Sequence, residues 1–127
     1  MGTITAITLF VEDLARARAF YERAFEASQV FQDDDSAVFD LGNLLVNLLS
    51  VTAAPELVAP MPVGAAASGV RFQLTVEVDD VDTAARDLAE RGVDLLNGPV
   101  DRPWGVRTAA FADPDGHVWE VAQPLAG

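Results

Sequence analysis

The sequence predicts an α+β fold: two βαβββ modules in tandem, forming a curved, cup-shaped mixed sheet with the helices packed outside. An internal repeat is the first observation behind this. Leu74–Val81 (LTVEVDDV) reproduces Ile7–Leu14 (ITLFVEDL) in identity or character at nearly every position. The second is a turn signature, Asp113-Pro114-Asp115-Gly116, set between two short apolar segments. The third is composition: 127 residues, half of them hydrophobic, make one globular domain that buries roughly 65–70% of its unfolded surface. Within residues 1–127, module one takes 1–51, a linker 52–69 and module two 70–127.

Module one opens with a strand over Ile4–Val11, with Ile7, Leu9 and Val11 on one face and Ala6, Thr8 and Phe10 on the other. A helix follows over Leu14–Phe25, capped by Asp13, with Leu14, Ala17, Phe20 (or Tyr21) and Phe25 as its apolar stripe. Ser28–Phe31 is a short strand, and the run Asp33-Asp34-Asp35 after it reads as a solvated turn. Ala37–Leu41 and Leu44–Val51 form a hairpin about Gly42-Asn43. Thr52–Gly69, rich in Ala, Pro and Gly, has no clear period and reads as a linker or a mobile cover.

Module two repeats the order. Its first strand lies within Leu74–Val78, and a helix over Val81–Arg91 ends at Gly92. A strand over Val93–Leu96 is turned by the loop Asn97–Pro103. The final hairpin then closes on the DPDG turn, with Gly116 in a bulge so that Asp113 pairs with His117. Counting outward, Glu120 lies opposite Ala110. Thr108, Ala110, Val118, Glu120 and Ala122 share one face; Ala109, Phe111, Trp119 and Val121 share the other, which reads as core. A small-residue wall holding one carboxylate has the character of a ligand cavity.

Composition narrows the function. With no cysteine there is neither a disulfide framework nor a thiol nucleophile. All eight cations are arginine, so a lysine Schiff base is excluded. The net charge of -12 repels phosphate backbones and argues against nucleic acid, while favouring a cationic ligand or partner. The first residues lack the basic lead and cleavage site of a signal peptide, and no apolar run is long enough to cross a bilayer. A soluble, cytoplasmic protein is the expectation.

The stretches FVEDLARARAFYERAF, VEVDDVDTAARDLAERGVD and WGVRTAAFADPDGHVWEV together resemble the vicinal oxygen chelate superfamily, the glyoxalase, bleomycin-resistance and extradiol-dioxygenase group. The resemblance covers essentially the whole chain. It implies paired modules around a cup, commonly in a homodimer. Metal-dependent members place ligands in the first and last strand of each module. Those positions fall here on Ala6, on Val46 (or Asn47 with a register slip of one), on Gln73 and on Glu120. Only Glu120 is an anionic donor and only Gln73 a neutral one of use, whereas a catalytic metal normally has three protein ligands. His117 points away from Glu120 by parity.

No cofactor is therefore expected, with Gln73 and Glu120 the candidates should a divalent metal bind. Glu120 is also the one candidate for acid–base chemistry, since a carboxylate beside Ala110 and Val118 can have a raised pKa. No G-x-S-x-G elbow, phosphate loop or H-E-x-x-H accompanies it. Gln73 or Thr75 can equally satisfy it as a structural acceptor. The expected ligand-binding wall is Thr8, Phe10, Gln73, Thr75, Trp104, Thr108 and Glu120, with Trp104 placed to stack on a flat ligand. Arg107 lies on the opposite face, in an ion pair with a helix acid. The expected function is binding of a small apolar or aromatic molecule without metal. The alternative is a metal-dependent lyase or dioxygenase with an incomplete ligand set.

Overall fold

A computed structural model describes residues 1–126, and the chain divides into two compact units, Met1–Ser68 and Gly69–Gly127. The fold is α+β, with two tandem modules that each carry a four-stranded mixed sheet.

In the first unit, β1 (Ala6–Val11) leads into α1 (Leu14–Phe25), then β2 (Ser28–Gln32), β3 (Ser36–Asp40) and β4 (Leu45–Ser50). The strand order is β1-β4-β3-β2, with β1 parallel to β4 and the other pairs antiparallel. Helix α1 begins where Asp13 Oδ1 accepts from Arg16 N at 3.0 Å, satisfying a donor of the first turn. It buries Ala17, Phe20, Tyr21 and Ala24 over β3 and β4. Phe20 and Tyr21 both go inside, because the stripe is wide enough to take two neighbours. Tyr21 stacks on Phe25 at 5.4 Å and lies 6.3 Å from the buried Phe39. Leu9 and Val11 are buried while Ala6 and Thr8 are exposed, the alternation expected of a half-buried strand. The acidic run is a turn. Asp33 Oδ1 accepts from Asp35 N, Ser36 N and Ser36 Oγ, and those bonds, that of Asp35 first, hold its carboxyl below the ordinary value.

Residues 52–69 hold more structure than their composition predicts. Pro55 opens a one-turn helix, α2 (Pro55–Val58), with its φ pre-set and Glu56 suiting the first turn. Ala54 just before it is wholly buried, and a 3₁₀ turn covers Ala66–Ser68.

The second unit repeats the pattern: β5 (Gln73–Glu77), α3 (Val81–Glu90), β6 (Leu95–Arg102), β7 (Val106–Ala112) and β8 (Val118–Pro124), in sheet order β5-β8-β7-β6. Asp80 caps α3 through Thr83 N at 3.1 Å, the counterpart of Asp13. Gln123 Oε1 on β8 accepts from Val81 N at 2.9 Å, so the sheet itself satisfies a second donor of that helix end. Arg107 donates to Asp82 of α3 at 3.0 Å and to Asp101 of β6 at 2.9 Å, which is the helix-acid pair expected of it.

A strand also departs from expectation. The segment Asn97–Pro103 is not a loop, because β6 runs on through Arg102. The register shifts between Leu95 and Asn97 and again between Asn97 and Val100 let it pass Gly98-Pro99 and still pair with β7. β6 is the edge of its sheet, where a proline's missing N–H costs no ladder bond. At Gly98 (φ 84) a Cβ would lie 2.4 Å from the Thr108 carbonyl oxygen, so only glycine admits this approach.

Candidate functional site

The final hairpin follows the counted register: Ala110 opposes Glu120, Phe111 opposes Trp119 and Thr108 opposes Ala122. Its turn is held by Asp113. Asp113 Oδ1 accepts from Asp115 N at 2.9 Å and His117 N at 2.8 Å, and Oδ2 meets His117 Nδ1 at 2.7 Å. The backbone closes with Asp113 N donating to His117 O. His117 therefore belongs to the turn.

Burial alone would push the His117 imidazole down. The hydrogen bond to Asp113 and the charges of Asp113 and Asp115 outweigh it, so its pKa stands above the ordinary 6.5. A raised folded pKa stabilises the fold fully below the unfolded value, and that contribution is lost as pH rises through the folded value. Denaturation midpoints should therefore fall as pH rises from about 6.5 through the raised folded value, and His117→Asn should flatten that slope. Urea titrations across this range measure it.

Ala109, Phe111, Trp119 and Val121 are buried on the face that α3 covers. The other face of the same sheet carries the candidate site. Parallel pairing of β5 with β8 sets Thr75 beside Glu120, and Thr75 Oγ1 donates to Glu120 Oε1 at 2.9 Å. Gln73 is two residues back on β5 and exposed. Glu120 is half-buried, between the buried Ala110 on one side and the exposed Thr75 on the other. Trp104 stands in the turn between β6 and β7 and is 72% exposed. Thr108 is buried, and its Oγ1 accepts from Arg102 Nε at 3.0 Å.

Arg102 is a residue the sequence reading missed. Its Nη2 donates to Asn97 Oδ1 at 3.0 Å, and its guanidinium lies 6.0 Å from the Trp104 ring centroid. Register places Asn97, Val100 and Arg102 on the face of Ala110 and Thr108. Parity in a strand over 97–102 groups Arg102 with Val100 but not with Asn97; the bulge between Asn97 and Val100 is what brings Asn97 to the same face.

In the first unit, Thr8 is exposed and Phe10 half-buried on the corresponding face of β1. Thr8 pairs with Asn47 as Thr75 pairs with Glu120, and Asn47 Nδ2 lies 3.5 Å from Thr8 Oγ1. Val46 is 1% exposed and faces the core, so Asn47, not Val46, is the positional counterpart of Glu120. The register slip is the observed arrangement.

These residues do not fit a resident divalent metal. Each unit by itself, the first presents Ala6 and Asn47 at these strand positions and the second Gln73 and Glu120. That is a methyl and a neutral amide in the first, a neutral amide and a carboxylate in the second. Asn47 Oδ1 is a buried oxygen without a hydrogen-bond partner, but Ala6 and Thr8 bring no charge to its side. Among the described residues, no three His, Cys, Asp or Glu side chains gather as a metal would require.

Comparison with known proteins agrees with this architecture. Residues 3–121 match the sequence model of the Glyoxalase/Bleomycin resistance protein/Dioxygenase superfamily, and the chain belongs to that superfamily. It is similar to the uncharacterized protein YraH of Bacillus subtilis, 34% identical over 94% of this chain and 96% of that one. The metallothiol transferase FosB of Lysinibacillus sphaericus is 26% identical over 93% of this chain and 79% of its own length. A glyoxalase/bleomycin resistance protein/dioxygenase from Nocardioides has a similar crystal structure, with a TM-score of 0.82 and 27% identity, over 100% of this chain and 86% of that one. Among the described residues no helix is long and apolar enough to cross a membrane.

Proposed function

We propose that the chain binds a small organic molecule, apolar or aromatic in its body, on the Glu120 face of the second unit's sheet, and does so without a resident metal. The observation that carries this reading is the setting of Glu120. A half-buried carboxylate held at 2.9 Å by Thr75 lies near the exposed amide of Gln73, on a sheet face that includes the small side chain of Ala110. Such a group accepts hydrogen bonds from an ammonium or a hydroxyl of a ligand. Trp104, 72% exposed at the end of the same hairpin, adds a flat surface for stacking. The donor set supports binding without metal, since one carboxylate and neutral amides make a poor site for any divalent ion.

A thermal-shift screen of aromatic amines, alcohols and acids in the presence of EDTA tests this. Amines and alcohols are expected to stabilise the protein. Glu120→Gln is expected to weaken their binding about 10- to 100-fold, the cost of losing a charged hydrogen bond of about 1.5–3 kcal/mol. Ligand binding or turnover that appears only on adding nickel, zinc, manganese or iron would overturn the proposal in favour of a metal-dependent lyase or dioxygenase.

A further inference from the structure

Arg102 is the one cation on the Glu120 face that the structure holds in place from three sides. Its side edge, Nε and Nη2, is taken by Thr108 Oγ1 and Asn97 Oδ1, each at 3.0 Å. The Trp104 ring lies against the guanidinium at 6.0 Å. A guanidinium has five N–H donors, and these two bonds leave the end edge, Nη1 with the second hydrogen of Nη2, for another acceptor. That end edge is the fork that takes a carboxylate or phosphate in two parallel hydrogen bonds. Two acids share the face, Glu120 in the row of Asn97 and Ala110 and Glu77 in the row of Val100 and Thr108, and neither is bonded to Arg102. Asp101 and Asp82 are engaged by Arg107 on the opposite face, so Arg102 is paired only with neutral oxygens.

Register then gives the spacing. Asn97, which receives Arg102, and Glu120 are both partners of Ala110, one on each side. They stand two strand spacings apart, about 10 Å between backbones. Ala110 itself is buried between them, so the row presents a cationic fork at one end and a carboxylate at the other. On a chain of net charge -12, an anion is repelled almost everywhere else, which makes a fixed arginine the natural place for an acid group to land.

We infer that the ligand of this face is two-ended: a small, flat molecule whose anionic group meets Arg102 and whose ammonium or hydroxyl meets Glu120, its body bridging the two strand spacings between them. This rests on the binding function proposed for Glu120 and adds the acid end, which that reading alone does not require. Thr108 and Asn97 act as positioning residues for the guanidinium.

Three probes separate the possibilities, each titrated calorimetrically against the whole protein in EDTA: benzylamine, benzoate and para-(aminomethyl)benzoate. The two-ended probe is expected to bind at least tenfold more tightly than either single-ended one. Arg102→Gln should reduce it to the affinity of benzylamine while leaving benzylamine itself unchanged. Arg102→Lys, which keeps the charge and loses the fork, should fall between. If wild-type protein binds a single-ended probe as tightly as the two-ended one, or if Arg102→Gln changes nothing, Arg102 is only a tie between β6 and β7. The inference then fails while the Glu120 reading stands. If none of the three binds, both fail together.

Discussion

Replacing Trp119 with alanine is expected to destabilise the protein by about 3–5 kcal/mol, the range for removing a large aromatic from a packed core. Trp119 is 2% exposed and lies between Leu74 of β5 and Phe111 of β7, on the face beneath α3. The indole is therefore part of both the sheet's internal packing and the surface on which the helix rests. Its loss leaves a cavity, because a close-packed core relaxes only partly around a deleted side chain. Against a total stability of about 5–15 kcal/mol the loss is large. Urea titration followed by circular dichroism should show a lower midpoint with an unchanged slope. A loss under about 1 kcal/mol would mean that this face of the hairpin is not core.

Asp113→Ala is the second large effect, expected at about 3–5 kcal/mol. The Asp113 side chain is fully buried and accepts from two backbone N–H groups as well as meeting the His117 ring. Removing the carboxylate orphans both donors and leaves a half-buried imidazole without its counter-charge, the costly way to break a buried pair. Asp113→Asn keeps one acceptor oxygen and should cost less, about 1–3 kcal/mol. The fall in stability with rising pH attributed to His117 should be lost or reversed in both variants, since burial, which lowers the imidazole pKa, is then opposed only by the Asp115 charge. Equal stabilities for the two variants would contradict the role given to the buried hydrogen bonds.

Much of this architecture is legible in the residues because the informative interactions are local. Asp13 and Asp80 each bond a backbone N–H three residues on, so their capping role depends on nothing distant. The Asp113–Gly116 turn fixes its own register, and counting from it places Glu120 opposite Ala110 as observed. What escaped the sequence depends on long reach. The span Asn97–Pro103 reads as a loop because Gly98-Pro99 interrupts the strand period, and only pairing with β7 around bulges makes it a strand. Arg102 then matters through Thr108, six residues away and on another strand. Val46 and Asn47 differ by one step of register, which the hairpin about Gly42 leaves open until Asn47 is seen beside Thr8. Pro55 opening a single helical turn inside an Ala- and Pro-rich stretch is too short a signal for periodicity.

The central claim is that Glu120 receives an organic ligand directly, without an intervening metal. Amide chemical shifts of the isotope-labelled protein, followed during titration with benzylamine in EDTA and again with excess nickel, test it most directly. The account predicts the same shifts in both titrations, centred on Gln73, Thr75 and Glu120, and their loss in Glu120→Gln. Shifts that appear only with nickel present, or that persist unchanged in Glu120→Gln, would contradict it.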